Sequence, residues 1–165
     1  MGFDKLKNAY WLAHRVLGSR SRAFYGDVYD LPPELGEFDV GVIGQILVHL
    51  SDPVRALASV LARCREQLVI TEGMIDDDKP TMTLASGGNE SAWWRGSTGL
   101  YREVLATAGW QIERIERQRF RCVAAERMKP QLPTIRARLK YRTLRAFAPS
   151  AASMIKLTTI VARRA

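Results

Sequence analysis

Cysteine is nearly absent from this chain of 165 residues. Cys64 and Cys122 are too few and too far apart for a disulfide framework or for the paired spacing of a metal site. Long hydrophobic runs are missing as well. No apolar stretch is long enough to span a bilayer, and the opening residues, MGFDKLKNAYW, have no signal-peptide core. Met1-Gly2 begins like a myristoylation site, but Leu6 stands where serine or threonine is needed. There is no internal repeat and no low-complexity tract. These absences argue against a secreted disulfide scaffold, a helical membrane protein and a lipid-anchored one, and the cytoplasm is the default location that is left.

What is present describes a globular protein. Hydrophobic residues make up 47% and charged residues 25%, enough for one domain with a real core. The net charge of +8 is unevenly spread. Between Ile112 and Arg145 stand eleven Lys or Arg against three acids, Glu113, Glu116 and Glu126. Such a block attracts phosphates. It is equally the pattern of a solvated surface, and that plainer reading weighs more because no nucleic-acid motif or aromatic stacking signature accompanies it.

Periodicity divides the chain into elements. Leu6, Ala9, Tyr10, Ala13, Val16 and Leu17 share one helical face, with Asp4 placed to cap the start and Gly18 to end it. A short strand is expected at about 23–27, then a turn at Pro32-Pro33. Val40 to Gly44 is a continuous apolar run with β-branched residues, which predicts a strand buried on both faces. Asp52 and Pro53 form an N-cap and first helical residue, and Val54, Leu57, Leu61 and Cys64 supply the buried stripe. Another short strand is expected at about 67–72. From Gly73 to Gly96 no period holds, and a loop of that length inside a compact domain is often functional. A third helix carries Leu100, Val104, Leu105 and Ala108 on one face, closes at Gly109, and puts Trp110 at the apolar contact of a Schellman motif. Gln111 to Phe120 reads as a strand whose charge suits a sheet edge. The basic segment around 126–147 reads partly as helix between Pro130, Pro133 and Pro149, and IKLTTIVARR reads as the last strand.

Alternating strands and helices imply an α/β sheet with parallel pairs, whose ligands bind at the carboxyl ends of strands. That rule gathers Gly26-Asp27, Gly44-Gln45 and Thr71-Glu72 on one edge.

Four segments carry a family resemblance: YGDVYDLP (25–32), FDVGVIGQILVHLSDP (38–53), LVITEG (68–73) and LYREVLATAGW (100–110). In this order and spacing the chain resembles a class I S-adenosylmethionine-dependent methyltransferase over roughly residues 5–120. The segments are similar to the family's strand three with its turn, strand four with its Asp-Pro ending, strand five, and the helix ahead of strand six. His49 before Asp52-Pro53, and the tryptophan-rich loop after strand five, are similar to a branch that includes tRNA wobble-uridine carboxymethyltransferases. The resemblance implies a Rossmann-like methyltransferase sheet with helices on both faces, in the family's strand order 3-2-1-4-5-7-6. It also shows a departure. The glycine-rich G-x-G-x-G loop after strand one and the acidic residue ending strand two are absent, so the N-terminal βαβ is missing, and Gly87-Gly88 does not replace the loop. The expectation is one partial domain over 1–165, truncated or mis-started, with a basic insertion at about 121–153. The segment at 23–27, without its family neighbour, would pair directly with Val40–Gly44, stay irregular, or be completed by a dimer or a complementing N-terminal segment.

The implied function is methyl transfer from S-adenosylmethionine to a small-molecule or RNA acceptor, with doubtful activity for this chain alone. Asp27 and the Val28 amide would meet the adenine; the local alternative is an Asx turn. Gly44, Gln45 and Ile46 would border the methionine end of the cofactor, where a glycine permits close approach; tight packing is the alternative. His49 is the candidate base or hydrogen-bond donor toward the acceptor, or else a histidine bonding backbone beside a helix start. Glu72 would face the cleft or cap a loop. Trp93, Trp94 and Arg95 would cover the acceptor by stacking, or anchor their loop to the core. No metal is expected, since the three adjacent acids Asp76, Asp77 and Asp78 cannot all point one way. The rival reading is a non-catalytic binding module that uses the basic 112–145 face for RNA or an acidic partner.

Overall fold

The computed structural model describes residues 3–84, 93–121 and 154–165, with side chains over 8–84, 93–119 and 155–165. The basic segment around 126–147, Cys122 and Gly87-Gly88 lie outside the described residues. The elements are α1 (Phe3–Val16), β1 (Phe38–Gly44), α2 (Pro53–Leu61), β2 (Cys64–Glu72), β3 (Met82–Leu84), β4 (Trp94–Gly96), α3 (Thr98–Thr107), β5 (Trp110–Arg121) and β6 (Met154–Arg164). Short 3-10 turns occupy Pro33–Leu35 and Leu47–His49. No described helix is long and apolar enough to cross a membrane.

Four strands form one sheet in the order β1-β2-β6-β5. β1 and β2 are parallel, while β6 runs antiparallel between β2 and β5. This is the order of strands four, five, seven and six in the family's sheet. β5 lies at the edge, as its charge suggested. β3 and β4 pair separately as a small hairpin within the segment that showed no period.

One face of the sheet makes the core. The register stacks Ile43, Ile70 and Ile160 in one row and Gly41, Leu68 and Ala162 in the next. Ala56, Leu57 and Leu61 of α2 and Tyr101 and Leu105 of α3 pack onto those rows. Gly41 has to be glycine, because a Cβ there would run into Cys64 Sγ. The helix boundaries follow the sequence signals. Asp52 accepts a hydrogen bond from the Arg55 amide at 3.0 Å, and Gly109 takes the left-handed conformation at φ 76° with Trp110 buried beside it. Replacing Asp52 with Ala is expected to cost about 1 kcal/mol in urea denaturation, and Asp52→Asn much less.

Three expectations need correction. The strand Val40–Gly44 is not buried on both faces: Phe38, Val40 and Val42 are 51%, 49% and 73% exposed. Their side of β1 has no covering element among the described residues, and an apolar run alone does not reveal that. The segment at 23–27 forms no strand but stays irregular. Among the described residues no strand lies beside it to pair with its backbone. The residues after it turn onto α2 instead, where the Leu31 amide donates to Ser59 Oγ at 3.2 Å. Finally, α1 stops at Val16 with the left-handed Gly18 (φ 58°) closing it as read, but it begins at Phe3, so Asp4 is inside its first turn rather than capping it. Tyr10, Val16 and Leu17 of its apolar stripe are exposed. Its described ties are local: Tyr10 Oη to Ser21 Oγ and His14 Nε2 to the Ser21 carbonyl.

Candidate functional site

β1 and β2 end side by side, and the chain leaves β1 through a strained residue. Gln45 has φ 50°, the one positive φ of a non-glycine among the described residues, and its amide donates to the Thr71 carbonyl at 2.9 Å. A side chain held in the left-handed region costs free energy and persists only where neighbours impose it. Here Glu72 imposes it. This residue closes β2 with 2% exposure, and its Oε1 accepts the amides of Ile46 at 2.8 Å and Leu47 at 3.0 Å. The other oxygen, Oε2, is buried and has no hydrogen-bond partner. Burial pushes the Glu72 carboxyl above the usual carboxylate range; the two amides and nearby His49 oppose the shift. Tyr101, buried on α3, has its hydroxyl pushed upward by desolvation and by the Glu72 charge.

The chain entering β4 closes on the same turn. The Trp93 amide donates to the Val48 carbonyl at 2.7 Å, and Trp94 Nε1 donates to the Ser51 carbonyl at 3.0 Å. The two tryptophans thus bracket His49 along the backbone. Trp93 is half exposed and Trp94 half buried. Arg95 pairs with Thr83 in the hairpin and is exposed.

Ser97 fixes this hairpin to α3. Its hydroxyl accepts the amides of Leu100 and Thr81 at 3.0 Å each and donates to the Lys79 carbonyl at 2.6 Å. Thr98 and Gly99 then take the Asp77 carbonyl through a hydroxyl and an amide. A serine just before an apolar-periodic helix is a cap signature, so Ser97 was findable from sequence.

Asp27 accepts the Tyr29 amide at 2.9 Å, an Asx turn, and Val28 is half buried against the core. Tyr29 ties this segment to the α2 start: its hydroxyl meets Ser51 Oγ at 3.1 Å and accepts the Asp52 amide at 3.3 Å. Those two bonds, Ser51 first, hold the tyrosine hydroxyl below its ordinary value. The Arg55 guanidinium lies 5.5 Å over its ring.

The structure therefore gathers Gly44, Gln45, Ile46, His49, Glu72, Trp93 and Trp94 at the carboxyl ends of β1 and β2. Asp27 and Val28 join them through Tyr29, and Arg95 stands off on β4. Asp76, Asp77 and Asp78 diverge: Asp76 pairs with Arg117, Asp78 with Arg102, and Asp77 caps the Lys79 amide. Among the described residues no three His, Cys, Asp or Glu side chains are grouped to hold a metal ion.

No family model and no curated protein matches this sequence. Solved structures do. A putative methyltransferase from Bacillus halodurans C-125 superposes with TM-score 0.60 at 12% identity, over 99% of this chain and 80% of its own. The 1,6-didemethyltoxoflavin-N1-methyltransferase of Burkholderia thailandensis, with bound S-adenosylhomocysteine, gives 0.58 at 16% identity, over 94% and 56%. Magnesium protoporphyrin IX methyltransferase from Synechocystis PCC 6803, with bound S-adenosylmethionine, gives 0.54 at 12% identity, over 96% and 54%. The chain has the methyltransferase fold. It spans little more than half the length of the last two proteins, and identities this low establish the fold alone.

Within that fold, the end of β1 has room for a bound molecule. A Cβ built on Gly44 meets no atom within 4 Å. The open space over Gly44, the outturned backbone at Gln45 and the exposed Asp27 carboxylate fit one side of a cofactor of the S-adenosylmethionine type. The sequence contains no G-x-G-x-G turn to grip the other side.

Proposed function

We propose that this chain serves S-adenosylmethionine-dependent methyl transfer. The observation that supports it best is the convergence, at two parallel strand ends of a methyltransferase fold, of an open glycine edge with a histidine bracketed by two tryptophans. When bound, the cofactor supplies an electrophilic methyl group on its sulfonium. In-line displacement of that group rests mainly on positioning, so the task of these residues is orientation. Asp27 and the Val28 amide would take the adenine edge. The Gly44–Ile46 backbone would lie along the methionine end. His49 would accept a proton from, or donate a hydrogen bond to, the acceptor, whether a small molecule or RNA. Trp93, Trp94 and Arg95 would cover it, and Glu72 would hold the turn beneath it. The described residues account for one side of the cofactor, so binding by this chain alone is expected to be weak.

Calorimetric titration with S-adenosylmethionine tests this. The expected result is weak but saturable binding. Gly44→Val puts its side chain into open space at an ordinary φ, so the variant stays folded. Its affinity should fall by roughly tenfold or more, about 1.4 kcal/mol. Absence of saturable heat from the unmodified chain would sink the proposal.

A further inference from the structure

The β5–β6 ribbon runs past the site. Glu72, the last residue of β2, pairs with Thr158, and Thr158 pairs on its other side with Arg117. Residues 118–121 and 154–157 therefore extend beyond the strand ends where the candidate site lies. On this extension Arg119 stands directly opposite Lys156 in an antiparallel pair. Like charges directly opposed in a sheet repel and destabilise it.

Most other cations among the ribbon's described side chains have acidic partners. Arg114 pairs with Glu116, Arg117 with Asp76 and Arg163 with Glu113. Arg119 and Lys156 are both exposed and have no acidic partner among the described residues. By strand alternation they share the face of Arg117 and of buried Thr158 and Glu72, the face on which the Asp76 loop and the α3 start lie. Arg117 and Arg119 are about 7 Å apart along the strand.

We infer that Arg119 and Lys156 form a phosphate-binding arm that leads an extended, single-stranded polynucleotide to the site. This rests on the methyl-transfer reading and names the class of acceptor. Two exposed cations hold a lone small phosphate only weakly, since water and salt screen them. A chain of successive phosphates suits an open ribbon better, because each contact releases a counterion and the contributions add. The same anion relieves the repulsion within the pair. The charge around the arm agrees with this: the net charge of the chain is +8, so the long-range field attracts a polyanion before contact.

The test is fluorescence anisotropy with a short fluorescein-labelled oligouridylate across a salt series, without cofactor. The double variant Arg119→Ala, Lys156→Ala should weaken binding by on the order of tenfold. It should also flatten the slope of log K against log salt by about 1.4, or about 0.7 for each phosphate contact removed from a single strand. Without ligand, its melting temperature should be equal or higher, since a repulsive pair is gone. Arg20→Ala with Arg164→Ala removes the same two charges elsewhere and should leave affinity within about twofold. Equal losses in both double variants would reduce the effect to net charge and overturn the arm. Uridine monophosphate binding as tightly as the oligomer would overturn the polynucleotide. Titration of the Arg119→Ala, Lys156→Ala variant with S-adenosylmethionine should match the unmodified chain. Oligomer binding lost with cofactor binding intact is the expected result for this variant. In the unmodified chain, cofactor binding without oligomer binding refutes the arm alone, and oligomer binding without cofactor binding refutes the methyl-transfer reading and leaves the phosphate site standing.

Discussion

Replacing Glu72 with Ala should cost roughly 1–3 kcal/mol at acidic pH and less at neutral pH. Two effects of opposite sign produce that pH dependence. Removing the carboxyl strands the Ile46 and Leu47 amides, and a buried donor without an acceptor costs about 1–3 kcal/mol. Against this, the wild-type carboxyl is buried with one oxygen unpartnered, so ionising it is unfavourable. Its folded value lies above the usual carboxylate range because burial outweighs the two amides. The folded protein therefore holds this proton more tightly than the unfolded chain does. The stability that Glu72 contributes is complete below the unfolded carboxylate value and is lost as pH rises through the folded value. Glu72→Gln separates the effects, because a glutamine carbonyl still accepts both amides and does not titrate. Urea denaturation at several pH values should show the wild type losing ground to Glu72→Gln as pH rises. A difference that stays flat over that range would contradict the raised value. Amide exchange at Ile46 and Leu47 should accelerate in Glu72→Ala and not in Glu72→Gln.

Ser97→Ala should be as damaging, by roughly 2–4 kcal/mol, and insensitive to pH. The side chain is fully buried, and its hydroxyl makes three hydrogen bonds, two accepted and one donated. Deleting it removes the α3 cap and strands a Thr81 amide and a Lys79 carbonyl together. An ordinary cap is nearly restored by glycine, but here Ser97→Gly should fare no better than Ala, because most of the lost bonds are outside the helix. The β3–β4 hairpin should loosen with it. Tryptophan emission from Trp93 and Trp94 should then shift toward that of exposed indole before the global transition. Destabilisation under about 0.5 kcal/mol would show that Ser97 does not hold the hairpin.

Much of this could be read in advance, where the signal is local. Asp52-Pro53 and Gly109-Trp110 are local chemistry, and the helix ends fall there. The charge of Gln111–Phe120 marked an edge strand because a buried strand could not carry it. What failed depends on distant parts of the chain. Val40 and Val42 look doubly buried in any window, yet their outer face is covered by no described element. The strand expected near 23–27 needed a neighbour that the described chain does not supply. The three-residue strands β3 and β4 are too short for periodicity to register. In the site, Gly44, Gln45 and Glu72 lie at the strand ends where that rule put them, and of the two roles expected for Glu72 the described hydrogen bonds show the loop cap. Its near-complete burial was not legible, because the two amides it accepts are 25 and 26 positions away in the chain. Tyr29 and Tyr101 carried no sequence signal at all, since each matters through one contact made by the fold.

The position of β6 governs when this protein can fold. β6, the last of the described strands in chain order, fills the middle of the sheet, between β2 and β5. Until residues 154–164 have left the ribosome, β2 and β5 present bare edges to each other and to other nascent chains. Zipping Gln67–Glu72 onto Thr158–Arg163 closes a loop of some ninety residues, a slow step that local helix formation cannot hasten. Chaperone dependence and yield should therefore respond to changes in β6 far more than to equally buried changes in α2, because only β6 ends the interval in which both edges are open.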